Sequence, residues 1–449
     1  MTTNKLRSVG LCAILALTSL PQQAKADTVF ANIIERDYAP RADSLTNALV
    51  RRFLNPAKGT FWAVPANQSN REDATTYIYW QQAHAMDVVV YAYLRLKDSN
   101  PDRAATYKHY MEQWYKNHAN NWYHDSSDPT GFLNEYTDDM CWICLTLFHI
   151  SEALGDDQYA ETARTVFDNY IEPRGWADAD GFWGLPWKSN DRGRNACTNA
   201  PGCLVACKLY EKYGDEHYLE TAVNIYTYQT NVMKTELNND GRVEDPPLTY
   251  TQGTFSEACR HLFHITGNTN YLNMAVKVTQ YVCTSSRCTD HGLLRHEGTS
   301  MDQSIFKAVC VPYIVNMAMD EDVSTAYRRT FIRFIQNNAK ALWENLDLSK
   351  YPATYCNYYW GEPVDPDAVP SMGAMVSGCS LMESMARISS QQLNLESAIN
   401  DVHRSANCGQ PNAFTISGTP VSWSGNFQQA TQKDIYIVDG RKVMVSGKW

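Results

Sequence analysis

The sequence predicts an all-α protein, an (α/α)6 barrel of helical hairpins with a small C-terminal β appendage. Three observations carry this. First, a turn pattern recurs at Gly155-Asp156-Asp157-Gln158-Tyr159, Gly214-Asp215-Glu216-His217-Tyr218 and Gly267-Asn268-Thr269-Asn270-Tyr271, followed by Ala163, Ala222 and Ala275; the glycines lie 59 and 53 residues apart. Gly stops one helix, Asp or Asn starts the next, and Tyr and Ala turn inward. A period of this size marks stacked helix pairs. Second, the run Met140–Leu154 is apolar nearly all round, with Trp142, Leu145 and Ala153 on one face and Ile143, Leu147, Ile150 and Leu154 on another. Such a helix is buried on most sides, as an inner helix of a closed double ring is. Third, residues 27–391 divide by six into about 61 residues per hairpin. A closed toroid fits these features better than an open solenoid with a polar concave face.

The elements follow in order. Residues 1–26 read as a secretory signal peptide: Lys5 and Arg7 precede the apolar run Val9–Leu20, and Ala24-Lys25-Ala26 forms an A-x-A cleavage site before Asp27. The run is too short to span a bilayer comfortably, and no later run is long enough for a transmembrane helix. Cleavage would move the net charge from -10 to -13 by removing Lys5, Arg7 and Lys25. Residues 27–391 are the helical body, with Asp98-Ser99-Asn100-Pro101 a divergent earlier copy of the turn. From about Gln392 the pattern changes. Asn407 to Gly425 is rich in Gly, Ser, Pro and Asn, and Asp434–Val438 and Lys442–Val445 flank Asp439-Gly440, a hairpin signal. This 392–449 tail resembles the close of sorting domains on exported proteins of the Bacteroidota over its last 15 residues; an ordinary terminal hairpin is the alternative.

Composition narrows the function. Apolar residues make up 44% and charged residues 20% of 449, which excludes global disorder. Acidic residues outnumber basic ones 49 to 39, which argues against a nucleic-acid partner. The 27 Tyr and 12 Trp point either to a large core or to a cleft lined with flat rings, suited to sugars or peptides. Export permits disulfides. Cys197/Cys203 and Cys283/Cys288 are the candidate pairs, whereas Cys207, Cys259 and Cys310 lie in apolar runs and read as buried thiols. Cys141-Trp142-Ile143-Cys144 lacks a second CxxC, and His261 and His264 lack an HExxH context, so no metal site is expected. No G-x-S-x-G elbow, P-loop or dinucleotide fingerprint occurs.

The most informative segment is Tyr136-Thr137-Asp138-Asp139-Met140-Cys141-Trp142. Two adjacent carboxylates open a buried helix. As structure, Thr137 is a good N-cap and first-turn acids complement the helix dipole. As chemistry, glycoside hydrolysis needs one ionised and one protonated carboxyl. Burial and mutual repulsion would raise one pKa while the dipole favours ionisation of either group. Trp183 and Trp187 lie in a Gly/Pro-interrupted loop, where rings either stack on sugar faces or cover the barrel end. Amides such as Asn195, Asn199 and Gln252 can bond hydroxyls. Tyr250 and Gln252 precede a helix beginning near Thr254, so capping and packing also explain them. Asp302 is likewise readable as an N-cap. Asp178 and Asp180 default to solvent or turn roles.

Several segments together resemble glycoside hydrolase family 76, the bacterial endo-α-1,6-mannanases and related fungal wall enzymes. Trp80-Gln81-Gln82-Ala83-His84 resembles the family's early aromatic motif, and Asp138-Asp139 with Trp142 its catalytic DDxxW. Gly181-Phe182-Trp183-Gly184-Leu185-Pro186-Trp187-Lys188, then Asn195 and Asn199, resembles its Trp-Lys…Asn-Ala…Asn stretch. Thr249-Tyr250-Thr251-Gln252-Gly253 resembles its TYNQG, and Asp302 with Phe306-Lys307 its D…FKG. The order holds from about residue 30 to 390. Two departures are Thr251, where Asn is usual, and Ala308, where Gly is usual.

The resemblance implies an (α/α)6 barrel and a retaining mechanism, with Asp138 as nucleophile and Asp139 as general acid/base. It implies an α-mannan or mannooligosaccharide partner, bound by Trp80, Trp183, Trp187, Asn195, Asn199, Tyr250, Gln252 and Asp302. No metal or organic cofactor is implied. The expectation is an exported protein (periplasmic, cell-surface or extracellular), with monomer as the default. The rivals are another (α/α)6 glycosidase such as an uronyl hydrolase, a transglycosylase using the same carboxylates, and a non-catalytic glycan-binding protein.

Overall fold

The structure is a computed structural model. It describes residues 37–65, 78–117, 128–233, 237–369 and 371–405, and beyond them four short strands; from 392 onward only the backbone is described. The signal-peptide segment 1–26 and most of the Gly/Ser/Pro-rich stretch lie outside the described residues. Residues 37–388 form one compact unit, and the residues from 389 belong to a second.

The first unit is built from α-helices in hairpins. They are α1 (Ala39–Phe53), α2 (Tyr79–Leu96), α3 (Pro101–Asn117), α4 (Thr137–Leu154), α5 (Asp157–Val166), α6 (Ala196–Tyr213), α7 (Glu216–Tyr228), α8 (Thr249–Thr266), α9 (Thr269–Thr284), α10 (Met301–Met319), α11 (Thr325–Glu344) and α12 (Met372–Ser405). The even-numbered helices form an inner ring and the odd-numbered ones an outer ring. Neighbouring inner helices pack side by side from α2 through α10. The α12 hydroxyls of Ser377 and Ser380 donate to the carbonyls of Ser304 and Ala308 on α10. Arg95 of α2 and Thr46 of α1 both bond Glu383 of α12, which closes the ring. The result is the (α/α)6 barrel that the repeats predict.

Amphipathicity separates the rings. On α3 the buried residues are Ala104, Tyr107, Met111 and Trp114, one helical stripe. On α4 nearly every residue from Met140 to Ser151 is buried. The repeated turns behave alike. Gly155, Gly214 and Gly267 end their helices in the left-handed region, at φ 67°, 69° and 71°. Asp156, Asp215 and Asn268 then cap the next helices by accepting from the backbone N–H two residues on.

Some local readings change. Helix α8 starts at Thr249, so Tyr250 and Gln252 sit in its first turn rather than before it. Ser300, not Asp302, caps α10. Tyr136 occupies the cap position of α4 without a side-chain cap bond, and Thr137 is its first helical residue. All eleven described cysteines are unpaired. The Cys197/Cys203 pairing fails because both lie on α6, about 9 Å apart along its axis at 1.5 Å per residue. Cys283 and Cys288 are also free; the Cys288 Sγ faces the Pro247 carbonyl. His261 pairs with Glu211 and Glu257, and His264 with Asp320, which is also bonded by Arg260.

In the second unit, α12 continues to Ser405 although the apolar pattern weakens after Arg387. A four-stranded antiparallel sheet follows. Its strands β5 (Ala413–Thr415), β6 (Pro420–Val421), β7 (Asp434–Val438) and β8 (Arg441–Val445) are ordered β6-β5-β7-β8, with Val438 opposite Arg441 in the predicted hairpin. Two-stranded ribbons β1 (Trp176–Ala177)/β2 (Trp183–Gly184) and β3 (Thr289–Asp290)/β4 (Leu293–Leu294) sit in loops of the first unit. Among the described residues no helix is long and apolar enough to cross a membrane.

Candidate active site

Each hairpin returns the chain, so the inner helices run parallel and their N-termini gather at one end of the barrel. There they surround a cleft of about 490 Å³. Helix α4 brings Asp138, Asp139 and Trp142; α2 brings Tyr79, Trp80 and Gln81. Asn195 and Cys197 come from the start of α6, Tyr250 from α8, and Asp302 and Phe306 from α10. Trp187 and Tyr136 close one side, their rings 5.1 Å apart.

The segment leading into α4 is held on both flanks. The Thr137 N–H donates to Trp187 O (2.8 Å) and the Ser189 N–H to Glu135 O (3.0 Å), a short antiparallel bridge. Arg174 donates to the carbonyls of Asn134 and Glu135, both at 2.8 Å. Asn134 accepts from the Tyr136 N–H and donates from Nδ2 to Asp139 Oδ2 at 3.3 Å. The floor is aromatic. Tyr250 stacks on Phe306 (centroids 4.2 Å), and Trp80 lies 6.2 Å from Phe306 and from Trp142. Asp302 orients Trp80 by accepting its indole N–H at 3.0 Å, and it also accepts from Gln81. Glu297 accepts the backbone N–H and hydroxyl of Thr249 (2.8 and 2.6 Å) and so anchors the first turn that carries Tyr250.

Electrostatics split the carboxyl pair. Burial pushes Asp138 up to about 7, while bonds from the Cys197 thiol and the Asp139 N–H pull it down. Asp139 is pushed well above the ordinary carboxyl range by burial, then by the charges of Asp138 and Asp302. The donors favour charge on Asp138, which accepts the Cys197 thiol and the Asp139 N–H, over Asp139, which accepts one amide at 3.3 Å and faces Asp302. One anion and one acid, side by side in a cleft with an aromatic floor, can perform acid-assisted displacement at an acetal carbon.

Of the ten residues singled out from sequence, Asp138, Asp139, Trp80, Trp187, Asn195, Tyr250 and Asp302 line the cleft. Three do not. The Trp183 ring covers Gly175, where a Cβ would come within 1.8 Å of it. Asn199 is fully buried; its Oδ1 accepts from Leu185 N–H and its Nδ2 donates to Leu185 O, both at 2.9 Å. Gln252 is also fully buried, accepting from Val243 N–H and donating to Gly241 O. Both amides are consumed by loop backbone. Tyr79, Gln81, Cys197, Asn134 and Glu297 were not foreseen. For Tyr79 and Gln81 the signal was adjacency to Trp80; for Cys197, its place between Asn195 and Asn199; for Asn134 and Glu297, none.

The fold and this paired-carboxylate cleft define a glycoside hydrolase. The family model for glycosyl hydrolase family 76 matches residues 39–395, and the chain belongs to that family. Its structure is similar to the GH76A α-1,6-mannanase of Salegentibacter sp. HEL1_6, with 26% identity, a TM-score of 0.66, and 78% of this chain and 100% of that one covered. It is equally similar to an inactive variant of that enzyme, with two consecutive aspartates replaced by alanine, in complex with α-1,6-mannotetrose (25% identity, TM-score 0.67, coverage 78% and 99%). Dfg5 of Chaetomium thermophilum shares the fold (15% identity, TM-score 0.59, coverage 82% and 93%). No match to the chain is found among curated proteins.

Proposed function

We propose that this glycoside hydrolase is an exported, retaining endo-α-1,6-mannanase. The observation that carries the reading is Asp138-Asp139 at the N-terminus of α4, facing a cleft floored by Trp80, Tyr250 and Phe306. Ionised Asp138 attacks the anomeric carbon as Asp139 protonates the departing glycosidic oxygen. Water then releases the mannosyl unit, with Asp139 now accepting its proton. Trp187 and Tyr136 offer apolar faces to sugar C–H groups at the rim, and Asn195 a polar edge. The substrate assignment is supported by the mannotetrose complex of the similar enzyme, whose inactive form lacks two consecutive aspartates. Export is supported by the leader pattern of residues 1–26.

The test is incubation of wild type, Asp138→Asn and Asp139→Asn with unbranched α-1,6-mannan, followed by chromatography and anomeric NMR of early products. Wild type should release short α-configured oligomannosides, with kcat down about 10²-fold or more in each variant. Equal release by all three proteins, or β-configured first products, refutes the mechanism. Products longer than the substrate indicate transfer in place of hydrolysis.

A further inference from the structure

Cys197 is the second residue of α6 and the one described cysteine that is not buried. Its Sγ lies 3.5 Å from Asp138 Oδ2. On its other side stands the Tyr250 phenol, another residue lining the cleft. Burial, then the charges of Asp138 and Glu244, push the thiol well above its ordinary value. It therefore stays S–H wherever the carboxyl pair titrates. Burial likewise pushes Tyr250 up, so the phenol keeps its proton. The direction of the bond follows: Cys197 S–H donates to Asp138 Oδ2. An ionised carboxylate only accepts, so this bond stabilises Asp138 in its charged form.

We infer that Cys197 is a positioning residue that holds Asp138 as the ionised member of the pair. The inference rests on the reading of Asp138 as nucleophile. The surroundings of the pair fit it. Toward Asp138 stand Asp139 on its own helix, Cys197 of α6, and Trp187 of the 186–189 loop, with Cys141 and Tyr250 also coupled to its charge. Toward Asp139 stand Asp302 of α10, Tyr79 of α2 and the Asn134 amide. The thiol and the Asp139 N–H thus donate to Asp138, whereas Asp139 receives one amide at 3.3 Å and faces a second negative charge. Arg174 and Glu244 complete the charged groups nearby, acting on Cys141 and on Cys197 and Tyr250 respectively.

The test compares wild type with Cys197→Ala and Cys197→Ser. One readout is the pH profile of kcat/KM on α-1,6-mannan. The other is an infrared titration of the protonated carboxyl band that Asp138→Asn abolishes, which needs no turnover. Cys197→Ala should move the acidic limb and the band midpoint up by about one pH unit. Cys197→Ser, which keeps a donor, should restore both. An unmoved midpoint in Cys197→Ala, or a shift that Cys197→Ser does not reverse, overturns the inference. A wild type inert on mannan overturns the substrate reading alone, because the infrared midpoint still decides the role of Cys197.

Discussion

Replacing Asn199 by alanine separates a sugar-binding amide from a scaffold amide. Asn199 lies in the first turn of α6 and is fully buried. Its side chain satisfies both backbone groups of Leu185, itself fully buried, and donates to Asn195 O at 2.8 Å. Alanine leaves the Leu185 N–H and C=O without these partners inside the protein. Each such group costs about 1–3 kcal/mol, so with partial relaxation the loss is about 2–4 kcal/mol. Two residues beyond Leu185 is Trp187, whose carbonyl accepts the Thr137 N–H at the start of α4. Loosening the loop therefore reaches the carboxyl pair, and displacements near 1 Å cost about 10²-fold in rate. The assay is urea unfolding followed by circular dichroism, together with kcat and KM on α-1,6-mannan. The expected outcome is a lowered unfolding midpoint at constant slope and a kcat reduced by about tenfold or more. A stability change below about 0.5 kcal/mol with a raised KM would refute this reasoning and return Asn199 to direct sugar contact.

Two further outcomes follow from the geometry. Asp138 is held near 7 against an ordinary 3.8, so between about pH 4 and 7 the native state keeps a proton that the unfolded chain has lost. Stability contributed at this site therefore falls as pH rises through that window, and Asp138→Asn should raise the thermal midpoint at pH 8 but leave it nearly unchanged at pH 4; an equal effect at both pH values would contradict it. Gly253 faces α10 with no room for a side chain, since a Cβ there would lie 2.8 Å from Cys310 Cα, so Gly253→Ala should cost about 1–3 kcal/mol in calorimetry, and a wild-type midpoint would show that α8 and α10 can part freely.

Much of the fold was legible because the repeats obey local rules. Gly155, Gly214 and Gly267 need the left-handed region, the following Asp or Asn needs a backbone N–H to cap, and both needs act within five residues. The ring closure was legible only as arithmetic. Its agents, Glu383 with Arg95 and Thr46, are separated by 288 and 337 residues, and no spacing rule connects them. The site shows the same division. Asp138, Asp139, Trp80 and Asp302 were readable as residue types at helix starts. Asn199 and Gln252 were misplaced because an amide that serves a sugar and one that serves a loop carbonyl look alike in sequence. Burial decides between them, and burial is tertiary. Cys197 was read as half of a disulfide since cysteine spacing in loop-like sequence invites that reading, whereas the helix starting at Ala196 turns its thiol toward Asp138.

The parallel inner ring also explains why chemistry concentrates at one end. The N-terminal ends of α2, α4, α6, α8 and α10 point their positive dipole ends at the cleft, which favours carboxylates there. At the opposite ends of these helices the wall of a second hollow carries His149, Lys208 and Arg260, cations suited to helix C-termini. Those cations are matched by acids: His149 by Asp87 at 2.9 Å, Lys208 by Glu152 at 2.9 Å, and Arg260 by Glu257 at 2.7 Å. Arg387, which also lines this hollow, donates to the Asn316 amide oxygen at 2.7 Å. The near end leaves Asp138, Asp139 and Asp302 facing one another around the cleft, with neutral donors (thiol, indole, amide) in place of cations. An Arg or Lys beside the pair would ionise both carboxyls and abolish the acid. Two neutral donors on Asp138 against one amide at 3.3 Å on Asp139 favour charge on the first without ionising the second, and that asymmetry is what acid-assisted displacement requires.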